Sequence, residues 1–175
     1  IFHLAALIGI PYSFKAVKSY LDTNFLGTYN ILEAAKNNRN IKKIILTSTS
    51  EVYGSAQQIP MYETHSLNPQ SPYAASKIAS DHLGMSYYYS YKLPITIIRP
   101  FNVYGPRQSE RAVIPTIINQ VLDENTKKIF LGNIKSKRDL TYVDDICNAF
   151  YLILKGKKNF GKVYNTGTIK NYTIK

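Results

Sequence analysis

The sequence predicts an α/β protein, a parallel sheet with helices on both faces. Three observations carry this. The Ile-rich runs Ile44–Leu46 and Ile95–Ile98 read as strands buried on both faces. Long helical patterns lie between such runs, over residues 14–38 and 73–91. Reactive side chains cluster directly after the runs, where an open α/β sheet binds ligands, outside the carboxyl ends of its strands.

Taken in order, Ile1–Leu4 reads as a short buried strand, followed by the small residues Ala5 and Ala6. Small residues at a strand's carboxyl end let a ligand approach the backbone; they equally suit a packed strand–helix junction. Leu7–Tyr12, with Gly9 and Pro11, is predicted as a loop. From Phe14 to about Asn38 the apolar face of Val17, Tyr20, Leu21, Phe25, Ile31 and Leu32 predicts a helix. Gly27 inside it reads as a point of close packing on the sheet. Lys43–Leu46 is a strand, and Ser55–Asn68 a polar loop in which His65 reads as a surface residue. Ser71 and Pro72 suit the cap and first turn of a helix running from Tyr73 to Tyr91. Ile95–Ile98, bounded by Pro94 and Pro100, is the next strand. A helix over Ala112–Asp123, a strand over Lys128–Leu131, a helix from Asp144 to about Leu154 and a strand at Val163–Asn165 complete the pattern. Asp144 and Asp145 suit the positive end of their helix.

The densest chemistry lies between Thr47 and Lys77. Tyr73 and Lys77, four apart, share one helix face with Cβ atoms about 5–6 Å apart. An ammonium beside a phenol lowers the phenol's pKa, and a phenolate near neutrality can take a proton from a sugar hydroxyl. The spacing alone is also that of an ordinary exposed Tyr and Lys, in a chain with 15 Tyr. Thr47-Ser48-Thr49-Ser50-Glu51 places hydroxyls and a carboxylate at the preceding strand end. Glu51 equally reads as a strand-end carboxylate paired with a lysine.

The composition narrows the classes. With 175 residues, 45% hydrophobic and 19% charged, the chain can bury one sizeable core. There is no apolar run long enough to cross a membrane. The single Cys147 excludes an internal disulfide and fits a reducing compartment, hence a cytoplasmic location. The net charge of +11 comes from scattered lysines without interleaved aromatics, so no nucleic-acid groove is predicted.

The ordered motifs S-T-S-E-V-Y-G, Y-A-A-S-K, R-P-F-N-V-Y-G-P-R and R-D-L-T-Y-V-D-D resemble the extended short-chain dehydrogenase/reductase family of NAD-dependent nucleotide-sugar epimerases, dehydratases and decarboxylases. The resemblance implies a Rossmann-like sheet, with residues 1–105 as the later part of the NAD-binding domain and 106–175 as substrate-lobe segments interleaved with returning Rossmann elements. The glycine fingerprint G-x-x-G-x-x-G is absent, and the chain begins Ile1-Phe2-His3 without Met. A fragment lacking the N-terminal βαβ units and the end of the substrate lobe is therefore expected.

The same resemblance implies roles. NAD contacts fall to Ala5, Ala6, Ser48, Tyr73, Lys77 and Pro100. Asn24 braces the active-site backbone. NAD+ takes hydride from C4 of the sugar while Tyr73 takes the O4 proton, Lys77 keeps Tyr73 ionised, and Thr49 hydrogen-bonds the same oxygen. Glu51, with Ser50 where some dehydratases carry Asp, removes the C5 proton and helps water leave C6. Asn102 binds the substrate; Arg138, helped by Arg107 or Arg111, grips the diphosphate, and Phe101 lines the nicotinamide side. A homodimer through a helix bundle is implied as well. The I-G-I-P-Y-S segment and Q-S-P-Y-A-A-S-K resemble most the 4,6-dehydratases of legionaminic acid biosynthesis, acting on UDP- or GDP-linked N-acetylglucosamine. A nucleotide-sugar 4-epimerase and a UDP-glucuronate decarboxylase are the alternatives; the latter carries R-A-C-Y where this chain has Q-S-P-Y. An inactive fragment or an NAD-binding module is the alternative from outside enzymology, and the presence of Thr49, Glu51, Tyr73 and Lys77 argues against the module.

Overall fold

The Ile-rich runs become the middle of a parallel sheet. The structure, a computed structural model, describes residues 1–174. Its first half runs β1 (Phe2–His3), α1 (Ile10–Ser13), α2 (Val17–Tyr20), a π-helical segment (Leu21–Leu26), α3 (Gly27–Lys36), β2 (Ile44–Thr47) and a 3-10 turn (Ser50–Tyr53). Then come α4 (Pro72–Tyr91), β3 (Ile95–Pro100), β4 (Asn102–Tyr104) and α5 (Val113–Leu122). The chain continues with β5 (Lys137–Arg138), β6 (Leu140–Tyr142), α6 (Val143–Lys155), β7 (Lys162–Thr166) and β8 (Tyr172–Thr173).

The main sheet has the order β1-β2-β3-β7, every pair parallel. Side chains alternate between its faces with period two. Ile44 and Leu46 on β2, with Ile95 and Ile97 on β3, meet Leu32 and Ala35 of α3 and Tyr87 of α4. Ile45 and Ile98 point the other way, onto Ala149, Phe150 and Ile153 of α6. Helices therefore cover both faces, and every crossover delivers the next strand's carboxyl end to the same edge. Two small ladders, β4 with β6 and β5 with β8, stand apart from the main sheet.

Ser71 caps α4 as its position predicts: its Oγ accepts from Ala74 N at 3.1 Å, with Pro72 in the first turn. α4 crosses the sheet at Gly84, where an added Cβ would stand 2.4 Å from Leu46 Cδ1. Gly27, expected to serve this purpose, has no foreign atom nearer than 3.9 Å to such a Cβ, so close packing does not require it.

Three expectations need correction. Leu7–Tyr12 is not all loop: Pro11, in the first turn, opens α1 rather than breaking a helix. The helix predicted from Phe14 starts at Val17 and passes through the π segment around Asn24, whose side chain is engaged elsewhere. Lys128–Leu131 is not a strand. Phe130 N donates to Gln120 Oε1 at 2.7 Å and Phe130 O accepts from Gln120 Nε2 at 3.0 Å, so a side chain takes the place of a neighbouring strand.

Lys43 locks α6 to the sheet. Its buried ammonium donates to the carbonyls of Ile153, Leu154 and Gly156 and to Asn159 Oδ1, over 2.5–3.1 Å. These are carbonyls at the helix's carboxyl end, which need donors and favour a cation. Burial lowers the Lys43 pKa, and the four acceptors offset that cost. Lys43→Met strips a charge from several carbonyls at once and is expected to cost about 1.5–3 kcal/mol in urea unfolding. A loss below about 0.5 kcal/mol would show that water replaces the ammonium.

Candidate active site

β1 ends at His3, and the chain then turns through Ala5 and Ala6, exposed and half-buried respectively. Asn24, fully buried in the π segment, anchors the loop beyond them: its Oδ1 accepts from Leu7 N at 2.8 Å, and its Nδ2 donates to Leu7 O at 3.0 Å and to Ser76 Oγ at 2.9 Å. One amide thus joins the strand-end loop to α4, and the π segment turns it inward. Such a local widening of a helix is common at functional sites.

β2 runs out at Thr47, followed by Ser48 and Thr49, both buried. Thr49 Oγ1 accepts from Glu51 N at 3.2 Å and caps the 3-10 turn. Glu51 is half-buried, and among the described residues it has no ion-pair partner, so the pairing with a lysine is not formed. Gly54 closes the turn at φ 65°, where an added Cβ would lie 2.2 Å from Asn68 O; only glycine fits.

Tyr73 and Lys77 sit one turn apart on α4, both buried, Tyr73 packed edge-on against Tyr20 at 6.2 Å. The predicted coupling is not seen in this state. Burial pushes the Tyr73 phenol up to about 12; Thr49 pulls it down, while Glu51, Tyr20 and Asp81 add to the rise. Lys77 instead turns to the sheet, its ammonium 2.5 Å from Thr47 O. Burial lowers the Lys77 pKa, and the charge of Asp81 opposes that.

His3, at the end of β1, is buried with Nε2 3.1 Å from Thr28 Oγ1. Burial, then the Lys77 charge, hold its pKa below the ordinary imidazole value. The unfolded chain therefore binds a proton at His3 more readily than the folded one. Its contribution to stability is complete above pH about 6.5 and is lost as pH falls from there through the folded value. His3→Gln is expected to flatten urea-unfolding stability over that window; an unchanged pH dependence would exclude His3 as the cause.

Asn102, Arg138, Ser50, Glu51 and Phe101 line one cavity of about 750 Å³, together with Met61, Glu63, Lys137, Asp139 and Asn165. The structure thus brings the substrate-side residues together. Thr49, Tyr73, Lys77, Ser48, Pro100, Ala5 and Ala6 do not line it. Pro100 is buried at the end of β3. Arg107, at φ 65°, and Arg111 are exposed and also lie outside the cavity wall, so neither is placed with Arg138. Asp139, unassigned in the sequence, organises the floor: its carboxylate accepts from Thr168 N, Thr168 Oγ1, Ile169 N and Thr141 Oγ1 at 2.8–3.2 Å.

Sequence reasoning also missed how the loop beside this cavity is held. His65 is buried, not a surface residue: its Nε2 accepts from Gln57 N at 3.1 Å and its ring packs against Tyr53. Asn165, near the end of β7, donates from Nδ2 to Met61 O at 2.9 Å and from its backbone N to Glu63 Oε1 at 2.8 Å. The loop after Gly54 is thereby tied to the sheet. Its signal was thin: a polar side chain near the end of the last strand.

A parallel sheet with a hydroxyl-and-carboxylate turn after one strand and a buried Tyr–Lys helix after it places the chain among the extended short-chain dehydrogenase/reductases. A family model described as GDP-mannose 4,6 dehydratase matches residues 1–175, and the chain belongs to that family. It is 42% identical to a dTDP-D-glucose 4,6-dehydratase of Dictyostelium discoideum, over 96% of this chain and 41% of that enzyme. Among solved structures, a UDP-N-acetylglucosamine 4-epimerase of Methanobrevibacter ruminantium superposes with TM-score 0.91 at 37% identity, covering 99% of this chain and 56% of that one. The dTDP-glucose 4,6-dehydratase DesIV of Streptomyces venezuelae, solved with NAD bound, gives TM-score 0.90 at 33% identity, covering 99% and 53%. The chain spans about half the length of the curated relatives it matches.

The residues present fit the dinucleotide that the DesIV structure holds. Lys77 has three donors and, among the described residues, one acceptor, Thr47 O, which leaves donors for ribose hydroxyls. Ala5 and Ala6 put nothing larger than a methyl group in the way of a ligand at the end of β1.

Proposed function

We propose that the protein is an NAD-dependent nucleotide-sugar 4,6-dehydratase, acting on UDP- or GDP-N-acetylglucosamine and giving a 4-keto-6-deoxy sugar. The observation that carries this reading is Glu51: a carboxylate without an ion pair among the described residues, held at its backbone by Thr49, facing the cavity that Asn102 and Arg138 also line. NAD, when bound through Lys77, Ser48, Pro100 and the Ala5–Ala6 turn, supplies the hydride acceptor for C4 and a positive charge in the site. Tyr73 takes the O4 proton, with Thr49 hydrogen-bonded to the same oxygen, and Lys77 holds the ribose. Glu51 takes the proton from C5, made acidic by the 4-ketone, and passes it to the C6 hydroxyl as water leaves. The hydride taken from C4 then returns to C6 and a solvent-derived proton is delivered to C5, which gives the 4-keto-6-deoxy sugar, with Ser50 beside Glu51 as a hydrogen-bonding partner. Asn102 orients the sugar, and Arg138 grips the diphosphate.

Incubating the protein with NAD+ and each nucleotide sugar in heavy water tests this by mass spectrometry. Loss of one water with deuterium gained at C5 is the expected result. An unchanged formula, no solvent deuterium and an inverted C4 would instead establish a 4-epimerase, the activity of the similar M. ruminantium enzyme. Loss of carbon dioxide from a uronic-acid nucleotide would establish a decarboxylase.

Val17, Leu21, Leu26 and Tyr29 remain exposed along α2, the π segment and α3, which supports a homodimer through these helices and α4. Sedimentation of the protein against Leu21→Glu tests it, with dissociation expected. No helix among the described residues is long and apolar enough to cross a membrane, and Cys147 is an exposed free thiol; the free thiol supports a cytoplasmic site of action.

A further inference from the structure

Behind Lys77 lies a buried charge pair that the proposed reaction does not use. Asp81, one turn beyond Lys77 on α4, is 3% exposed, and Arg99, on β3, is 5% exposed. Asp81 Oδ2 accepts from Arg99 Nε at 3.0 Å and from Ser48 Oγ at 2.8 Å, and Arg99 NH2 forms an ion pair with the same oxygen at 3.0 Å. Arg99 NH1 donates to Tyr53 Oη at 2.9 Å, and Tyr53 donates to Asn165 Oδ1 at 2.7 Å. The chain of contacts therefore runs without a break from α4, through the strand end after β2 and the strand β3, to the residue that ties down the cavity wall.

Burying two charges costs several kcal/mol per ion, and hydrophobic residues of similar volume often serve stability as well or better. A pure packing role is a weak explanation for this pair. Its position offers another. Tyr73, Lys77 and Asp81 come at intervals of four on one helix face. The charged and titratable groups around them are His3 from β1, Glu51 from the 3-10 turn, Tyr20 from α2 and Arg99 from β3. Asp81 itself is the group whose charge favours the ammonium of Lys77, and burial works against it.

We propose that Asp81, braced by Arg99, is a positioning residue that keeps the Lys77 ammonium charged and seated at the end of β2. The inference rests on the roles proposed for Tyr73 and Lys77. Asp81 touches no reacting atom; it acts through Lys77, and through Ser48 it holds the strand end that Lys77 binds. Burial raises the Asp81 pKa, and the Arg99 charge and the Ser48 hydroxyl work against that rise in favour of the carboxylate; Arg99 also carries the constraint on to Tyr53 and, through it, to Asn165.

The test reads Lys77 directly and needs no turnover. The protein is labelled with ¹³Cε-lysine, the Lys77 signal is assigned by its loss in Lys77→Met, and its titration is followed by NMR. Asp81→Asn is expected to move the Lys77 titration to lower pH by about one unit, the scale of a nearby opposite charge. Asp81→Asn/Arg99→Gln, which leaves no unpaired buried ion, should move the titration the same way by a smaller amount, because the lost Arg99 charge offsets part of the effect, and covers the case in which the single variant does not fold. Asp81→Glu should restore the titration. In turnover, Asp81→Asn should lower kcat with KM unchanged and bring the alkaline limb of the pH–rate profile to lower pH. A Lys77 titration identical to wild type in the folded variants would overturn the proposal and leave the pair structural. Because the NMR shift does not depend on the reaction, a protein inactive on nucleotide sugars would refute the functional reading while leaving this measurement decisive for Asp81.

Discussion

Replacing Tyr73 by Phe is expected to lower kcat by about 10²–10⁴-fold, the range that a positioned acid–base group contributes. The ring keeps its edge-on contact with Tyr20, so the loss falls on the hydroxyl alone. Removal of one hydrogen-bonding hydroxyl costs about 1 kcal/mol of stability, too little to unfold the protein. The pH dependence sharpens the expectation. With the phenol pushed up to about 12 by burial, ionised Tyr73 is scarce at neutral pH until positive charge enters the site. Under the proposed mechanism the deprotonated form is the active one, so the wild-type rate should climb with pH along a limb that Tyr73→Phe lacks. Residual activity within tenfold of wild type, with that limb intact, would assign the base elsewhere.

The burial of Tyr73 also shows where sequence reading stops. Ile44–Leu46 and Ile95–Ile98 were legible as strands because local composition decides burial on both faces. Ser71 and Pro72 were legible because capping is a local interaction, and both lie where expected. The four-residue spacing of Tyr73 and Lys77 correctly placed them on one helix face. It could not tell which way the ammonium turns, and the carbonyl of Thr47, thirty residues away in sequence, took it. The break in the helix around Asn24 has the same origin, since its amide is committed to Leu7. Gly27 reads in the sequence as the point of close packing, but Gly84, which no local signal singles out, is the glycine that touches the sheet. Asp81 and Arg99 escaped notice because isolated charges in a sequence read as solvated, and only the fold reveals that each is the other's partner. What local chemistry determines was visible, and what one distant group does to another was not.

Glu51→Gln is expected to separate the two halves of the proposed reaction. Gln keeps the length of the side chain, and its backbone N still donates to Thr49, so the 3-10 turn and the cavity stay as they are. What it loses is the ability to take a proton. Removal of the C5 proton should fall by about 10²–10⁴-fold, while loss of the O4 proton to Tyr73 is untouched. Under the dehydratase reading, the variant forms the 4-ketone and stops there. The ketone, trapped with borodeuteride, carries deuterium at C4, retains the C6 oxygen and takes none from heavy water at C5. The 4-epimerase reading predicts the opposite pattern, because epimerisation needs no base at C5; the same variant would then turn over at a rate near wild type. Glu51 is half-buried and has no cation paired with it among the described residues, so neutralising it breaks no ion pair that could confuse the comparison. A Glu51→Gln protein that still releases water at the wild-type rate would move the base to another carboxylate on the cavity wall. Glu63 is the candidate there: its Oε1 accepts from Asn165 N while its second oxygen is uncommitted among the described residues, whereas both oxygens of Asp139 accept from Thr168 and Ile169.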